Sequence, residues 1–240
     1  MKKLYILLSF LILISVVVFA DSYGNSYVFR YRIIVEVETP EGIETGSSVL
    51  EIAMKPVKVG KSTGYKDSYR GEAVMVDLGE RGKLFALKRG RNGRSWLLQV
   101  LYWTFPSGLG GITDKEKLAF YANLPAGKTQ SLPVKNYPLM AHLKDINDPK
   151  TVVAVYDIYN GTHGELGTVK TDRLEDIYGA GVRIRDIRIE ITDDPVEFKL
   201  HKLLTWLSKP KDTYFIESPP ISKAQPLKYL DFQEGRLNNE

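Results

Sequence analysis

Residues 27–37 carry a large apolar side chain at every second position, and this period of two constrains the fold more than any other feature of the sequence. The apolar positions are Tyr27, Phe29, Tyr31, Ile33, Val35 and Val37. Arg30, Arg32 and Glu36 lie between them. Because successive side chains of a β-strand point to opposite faces of a sheet, the pattern predicts a strand with one buried face.

The following residues predict that this strand turns into a hairpin. Pro40 fixes φ and Gly42 accepts positive φ, which is the chemistry of a tight turn. Residues 50–54 then resume the alternation of apolar and polar side chains. Residues 60–70 are polar and rich in Gly and Ser, which indicates a loop.

Further strands are expected where short apolar runs are bounded by turn residues. They are residues 72–78, 83–88, 139–143, 151–158 and 182–192. In residues 182–192 the apolar side chains change from even-numbered to odd-numbered positions near Arg185 and Asp186. A β-bulge at that point would keep both apolar groups on the same face, and we expect one there.

Three short helices are predicted, at residues 113–122, 172–178 and 194–207. Thr113 and Glu116 have the spacing of a capping box, which marks the start of the first helix. The third helix would carry an apolar stripe. Its members are Val196, Leu200, Leu203, Leu204 and Leu207.

These elements predict an α+β globular domain over residues 27–207, made of a mostly antiparallel β-sheet or sandwich with two or three short helices. The chain contains no Cys, so the domain cannot depend on disulfide bonds. Residues 208–240 carry four prolines among scattered charges, a composition expected to form an extended, disordered tail.

An apolar segment precedes this domain. Residues 4–20, from Leu4 to Ala20, contain no charge and follow Lys2 and Lys3. This is the pattern of a cleaved signal peptide or of one uncleaved transmembrane helix, and both interpretations stay open. Either one places the domain outside the cytoplasm, in the periplasm or bound to the bacterial inner membrane with the domain facing outward.

The net charge and the short sequence motifs give no support to nucleic-acid binding, nucleotide binding or metal binding. Lys2 and Lys3 supply half of the formal net charge of +4, so bulk charge gives no reason to expect a nucleic-acid partner. Residues 122–129 match a phosphate-loop pattern only formally, because the predicted helix precedes the glycine instead of following it. The histidines lack the spacing of metal sites. No catalytic, cofactor-binding or metal-binding residue is therefore assigned.

Basic and aromatic residues cluster between Gly82 and Thr113, a stretch without any acidic residue. This composition suits contact with an anionic surface such as lipid headgroups or an envelope polymer. The alternative is a solvated hairpin tip whose aromatic side chains belong to the core. The candidate contact residues are Lys88, Arg89, Arg91, Arg94 and Trp96.

Four blocks of the sequence, at residues 31–42, 45–49, 71–82 and 187–196, resemble membrane-anchored proteins of proteobacteria to which no activity is assigned. The resemblance implies a bacterial cell-envelope protein with a single membrane anchor. It implies no catalytic residues and no cofactor.

The function expected from these observations is a non-enzymatic binding or structural module of the cell envelope. Its partners would be the membrane, through residues 4–20 if they are not cleaved, and an anionic lipid, polymer or envelope protein. The alternative is an envelope hydrolase that uses scattered carboxylates in a cleft. Asp145, Asp148 and Asp157 are the residues considered for it. A separate long-range metal site that joins His142, Asp145 and Asp157 is also considered.

Overall fold

The computed structural model describes residues 26–60, 62–90, 96–108, 113–160, 166–208 and 229–234. In chain order its strands are β1 (Tyr27–Thr39), β2 (Gly42–Val59), β3 (Ser62–Glu72), β4 (Val74–Asp77), β5 (Lys83–Ala86), β6 (Thr129–Ser131), β7 (Met140–Leu143), β8 (Val152–Asn160), β9 (Leu166–Asp172), β10 (Arg183–Ile191) and β11 (Gln233–Glu234). Its α-helices are α1 (Trp96–Thr104), α2 (Asp114–Ala122), α3 (Leu174–Tyr178), α4 (Leu200–Leu203) and α5 (Tyr229–Phe232).

Two antiparallel sheets form the architecture. The first has six strands in the order β11-β3-β2-β1-β10-β6, and the second has five in the order β4-β5-β7-β8-β9. The predicted β-rich α+β class with mostly antiparallel sheets and short helices is therefore confirmed. The apolar segment at residues 4–20 lies outside the described residues. Among the helices that are described, none has the length and apolar character needed to cross a membrane.

The predicted hairpin of β1 and β2 is the centre of the first sheet. Its register runs without interruption from Tyr27 opposite Met54 to Thr39 opposite Gly42. The predicted bulge is also confirmed on the other side of β1. Glu36 faces Asp186 and the next residue, Val37, faces Ile184, which leaves the intervening residue of β10 without an opposite partner.

The main core lies where the inner faces of the two sheets meet helices α1 and α2. The alternating apolar residues of β1 are all buried in it, as predicted. Two buried polar groups of this core have partners. The Tyr31 hydroxyl donates to the Leu97 carbonyl at 2.6 Å, and Trp96 Nε1 donates to the Asn136 carbonyl at 2.7 Å. The first bond fixes α1 against β1, and the second fixes it against the 3-10 turn at Val134–Asn136. Both avoid the cost of unpaired polar atoms.

A second apolar cluster covers the opposite face of the five-stranded sheet. The C-terminal part of the chain supplies its outer layer through Leu200, Leu204, Trp206 and Phe232. The prediction of an extended tail is therefore wrong for residues 229–234: α5 packs on this face and β11 pairs with β3. The rest of the predicted tail from residue 209 onward lies outside the described residues.

Two other predictions are corrected. Residues 60–70, predicted as a loop, belong mostly to β3, because they pair with β2 over a long antiparallel register. The predicted helix at residues 194–207 is reduced to α4 and a 3-10 turn at Thr205–Ser208. Helix α1 was not predicted, although the start of α2 at the Thr113 capping box was.

Candidate functional site

The predicted anionic-surface patch is not an accessible surface at three of its five residues. Lys88 and Arg89 are 2 % and 8 % exposed, and Trp96 is 0 % exposed inside the main core. Buried cations of this kind cannot meet lipid or polymer without the fold opening. Arg91 and Arg94 lie outside the described residues, and for them the contact stays a prediction.

Arg89 instead belongs to a buried ion pair with the C-terminal segment. Its Nη1 lies 3.5 Å from Oδ2 of Asp231, and the two side chains are 10 % and 3 % exposed. The backbone reinforces this contact, since Lys88 N donates to the Asp231 carbonyl at 2.9 Å. The pair therefore holds α5 on the five-stranded sheet, which is a structural role.

Glu72, at the end of β3, is a carboxyl group in an unusual environment. It is buried, and burial raises its pKa, although nearby backbone N–H donors act in the opposite direction. Both of its oxygens accept hydrogen bonds from backbone nitrogens of Lys199 and Leu200. The side chain therefore caps the start of α4 and positions the C-terminal segment.

A cleft of about 300 Å³ opens beside Glu72. Ser48 lies at its base and donates to the Glu72 carbonyl at 2.9 Å. Its rim carries two ion pairs, Arg32 with Asp194 and Lys199 with Glu197. The charged groups of this cleft are therefore engaged with one another or with the backbone.

The carboxylates considered for a hydrolase are not brought together. Asp145 and Asp148 are turn residues whose side chains each accept a backbone N–H two residues on, from Asn147 and from Lys150. Asp157 lies further along β8. Val153 of β8 lies opposite His142. Asp157 is four residues beyond Val153, so it lies about 13 Å further along the strand than His142.

His142 lies in a different shallow cleft, with Lys83 and Asp145 among its neighbours. Its ring packs edge-on against Tyr178 at a centroid distance of 5.3 Å. Burial lowers the pKa of His142, so the imidazole is neutral near pH 7. No group of three His, Asp or Glu side chains in the described part of the chain is arranged to hold a metal ion.

The feature that does reach outward is the far end of the β2–β3 hairpin. Pairing of β1 with β2 begins at Tyr27 and Met54, whereas β2 and β3 remain paired for five further residue pairs, from Lys55 opposite Lys66 to Val59 opposite Ser62. Five pairs extend about 17 Å. We call residues 55–59 and 62–66 the hairpin arm.

The hairpin arm is basic. Lys55, Lys58 and Lys66 are exposed, and the sequence from residue 55 to residue 66 contains no acidic residue. Lys55 and Lys66 lie directly opposite each other, so their like charges repel across the ribbon. Neither of these two lysines forms an ion pair within the described residues.

The charges on the outer face of the six-stranded sheet are arranged differently. Arg30 pairs with Glu51 at 2.6 Å, and Arg188 pairs with Glu36 at 2.6 Å. Both ion pairs join opposite charges on neighbouring strands, which is typical of a solvated face. Lys55 and Lys66, which form no ion pair within the described residues, therefore differ from these paired charges of the same sheet.

Sequence reasoning missed the hairpin arm as a candidate site, because residues 60–70 were interpreted as a loop. The signal that could have found it is the spacing of lysines without any acid between residues 55 and 66. No family model matches the chain, and neither the comparison with curated proteins nor that with solved structures returned a match.

Proposed function

We propose that this protein is a non-enzymatic binding or structural module of the bacterial cell envelope. It is exported, and its domain works outside the cytoplasm, either anchored in the inner membrane through residues 4–20 or released into the periplasm. The resemblance to membrane-anchored proteins of proteobacteria agrees with this proposal.

The hairpin arm is the observation that carries the proposal. A two-stranded ribbon that extends past its sheet gains little stability from its own contacts. Exposed lysines that repel one another lower that stability further. A basic ribbon that continues past the start of β1 is therefore better explained by contact with a partner than by the needs of the fold.

Photo-crosslinking in intact cells tests the proposal. Val57, on the hairpin arm, is replaced by p-benzoylphenylalanine in one variant. The control variant carries the same group at Ile43, which is 47 % exposed at the opposite end of β1 and β2. Adducts with an envelope component are expected from position 57 and not from position 43. Equal or absent adducts at the two positions would contradict a binding role for the arm.

One observation favours the alternative of an envelope hydrolase. Glu72 has a raised pKa and lines a cleft together with the carboxylates Asp194 and Glu197, as a general acid would. Its hydrogen bonds to backbone nitrogens argue for a structural role instead. Hydrolytic activity of the purified chain that is abolished by Glu72→Gln without loss of folding would favour the enzyme.

A further inference from the structure

We propose that the hairpin arm lies at the membrane-facing end of the domain and binds the headgroups of anionic phospholipids. This inference rests on the proposed function, which places the protein at an envelope membrane. It names the partner of the arm and the orientation of the domain relative to the bilayer.

The path of the chain supports this orientation. Tyr27, the first residue of β1, lies opposite Met54, which is the last residue before the arm begins. The chain therefore enters the domain at the base of the arm, and β1 then runs away from it. The connection from Ala20 to Tyr27 can span at most about 25 Å when fully extended. The arm extends about 17 Å from the same level, in the direction opposite to β1. If Ala20 lies at the membrane, the arm is therefore long enough to reach the membrane surface.

The charges of the arm suit a negatively charged plane. Side chains alternate along a strand, so Lys55 and Lys66 share one face of the ribbon and Lys58 lies on the other. A ribbon that meets a bilayer end-on can place lysines from both faces among the headgroups. Anionic headgroups would also relieve the repulsion between Lys55 and Lys66.

An aromatic pair lies at the base of the arm. Tyr65 of the arm packs against Tyr27 with ring centroids 5.9 Å apart. Tyr27 is buried in the main core, so the pair joins the base of the arm to the rest of the domain and fixes the direction in which the arm extends.

A single fluorescent label on the full chain tests the proposal. The protein has no Cys, so Val57→Cys creates one unique labelling site on the arm for an environment-sensitive dye. The labelled chain is mixed with phosphatidylcholine vesicles or with vesicles that also contain phosphatidylglycerol. A blue shift is expected only with phosphatidylglycerol, and salt at about 0.5 M should remove it.

Two charge-matched variants complete the test. Substituting Lys55, Lys58 and Lys66 by Gln should abolish the blue shift. Substituting the exposed lysines Lys135, Lys150 and Lys202 by Gln should leave it unchanged. The urea midpoints of both variants, compared with wild type, report whether the domain is folded.

Other outcomes overturn the proposal. An equal shift with pure phosphatidylcholine would show that charge recognition is not involved. An equal shift with soluble dextran sulfate would show that the arm binds polyanions and not a lipid surface in particular. No shift with phosphatidylglycerol, while the chain sediments with the vesicles, would refute the role of the arm and leave membrane association intact. No sedimentation with any vesicle would count against the membrane assignment itself.

Discussion

The Glu72 carboxylate lies 3.0 and 2.9 Å from the backbone nitrogen of Lys199, which donates to both of its oxygens. A third hydrogen bond comes from Leu200 N at 2.9 Å. The first N–H groups of a helix have no partner inside the helix, and Glu72 satisfies them at the start of α4. One side chain at the end of β3 thus holds the segment that covers the five-stranded sheet.

Replacing Glu72 by Gln should lower the free energy of unfolding by about 1–3 kcal/mol at neutral pH. The amide has one accepting oxygen, and its NH₂ group would face the backbone donors of Lys199 and Leu200. Urea denaturation measures the loss. Glu44→Gln, an exposed carboxylate on β2, is the matched control and should change stability by less than about 0.5 kcal/mol. Equal losses in the two variants would refute the capping role.

The contribution of Glu72 to stability should depend on pH with a defined sign. Burial raises the pKa of Glu72 in the folded protein above its ordinary value of 4.5. The folded state then holds the proton more tightly than the unfolded state. The part of the contribution that comes from this tighter proton binding is fully present below pH 4.5 and is lost as the pH rises through the folded pKa. The part that comes from the hydrogen bonds of Lys199 N and Leu200 N remains at neutral pH. The free energy of unfolding of wild type, minus that of Glu72→Gln, should therefore fall as pH rises in urea titrations. A difference that grows with pH would contradict this account.

Breaking the buried pair between Arg89 and Asp231 should be costly. Asp231→Leu leaves the Arg89 charge buried beside an apolar group, which typically destabilises a protein by about 3–5 kcal/mol. The double variant with Arg89→Met removes both charges and should recover much of that loss. Thermal and urea unfolding of the two variants measure the recovery. A double variant that is less stable than the single one would show that the charge of Arg89 is satisfied elsewhere.

Gly46 should not tolerate a side chain. A Cβ at this position would overlap with the backbone carbonyl of Met75, where the two sheets approach each other. Backbone atoms cannot move as cheaply as a side chain can, so Gly46→Ala should cost at least about 1–3 kcal/mol, as overpacking usually does. The exposed neighbour gives the control, since Ser47→Ala should be nearly neutral. Comparable stabilities of the two variants would show that the sheets separate easily.

Features encoded locally were predictable from the sequence. The alternation along β1, the turn at Pro40 and Gly42 and the capping box at Thr113 depend on neighbouring residues only. The bulge opposite Glu36 was also predictable. When the apolar positions of a strand shift by one residue, a β-bulge is the usual way to keep them on the same face.

Features that depend on distant partners were not predictable. Arg89 is buried because Asp231, far along the chain, lies beside it. The residues of α1 are apolar on nearly every side, so they show no stripe that would mark a helix. The predicted helix at residues 194–207 begins only at Leu200, where Glu72 supplies the cap. A strand made of polar residues, such as β3, is recognisable only through its pairing with β2.

The location of the domain is the central claim, and protease protection measures it most directly. Cells that produce the full chain with a C-terminal tag are converted to spheroplasts and treated with protease. In a separate sample without protease, the chain is purified and its N-terminus is sequenced. We predict that the protease destroys the tagged domain while a cytosolic marker survives, and that the chain begins at Asp21 or stays in the membrane fraction with Met1. A tagged chain that is protected, soluble with the cytosolic marker and intact at Met1 would contradict the account.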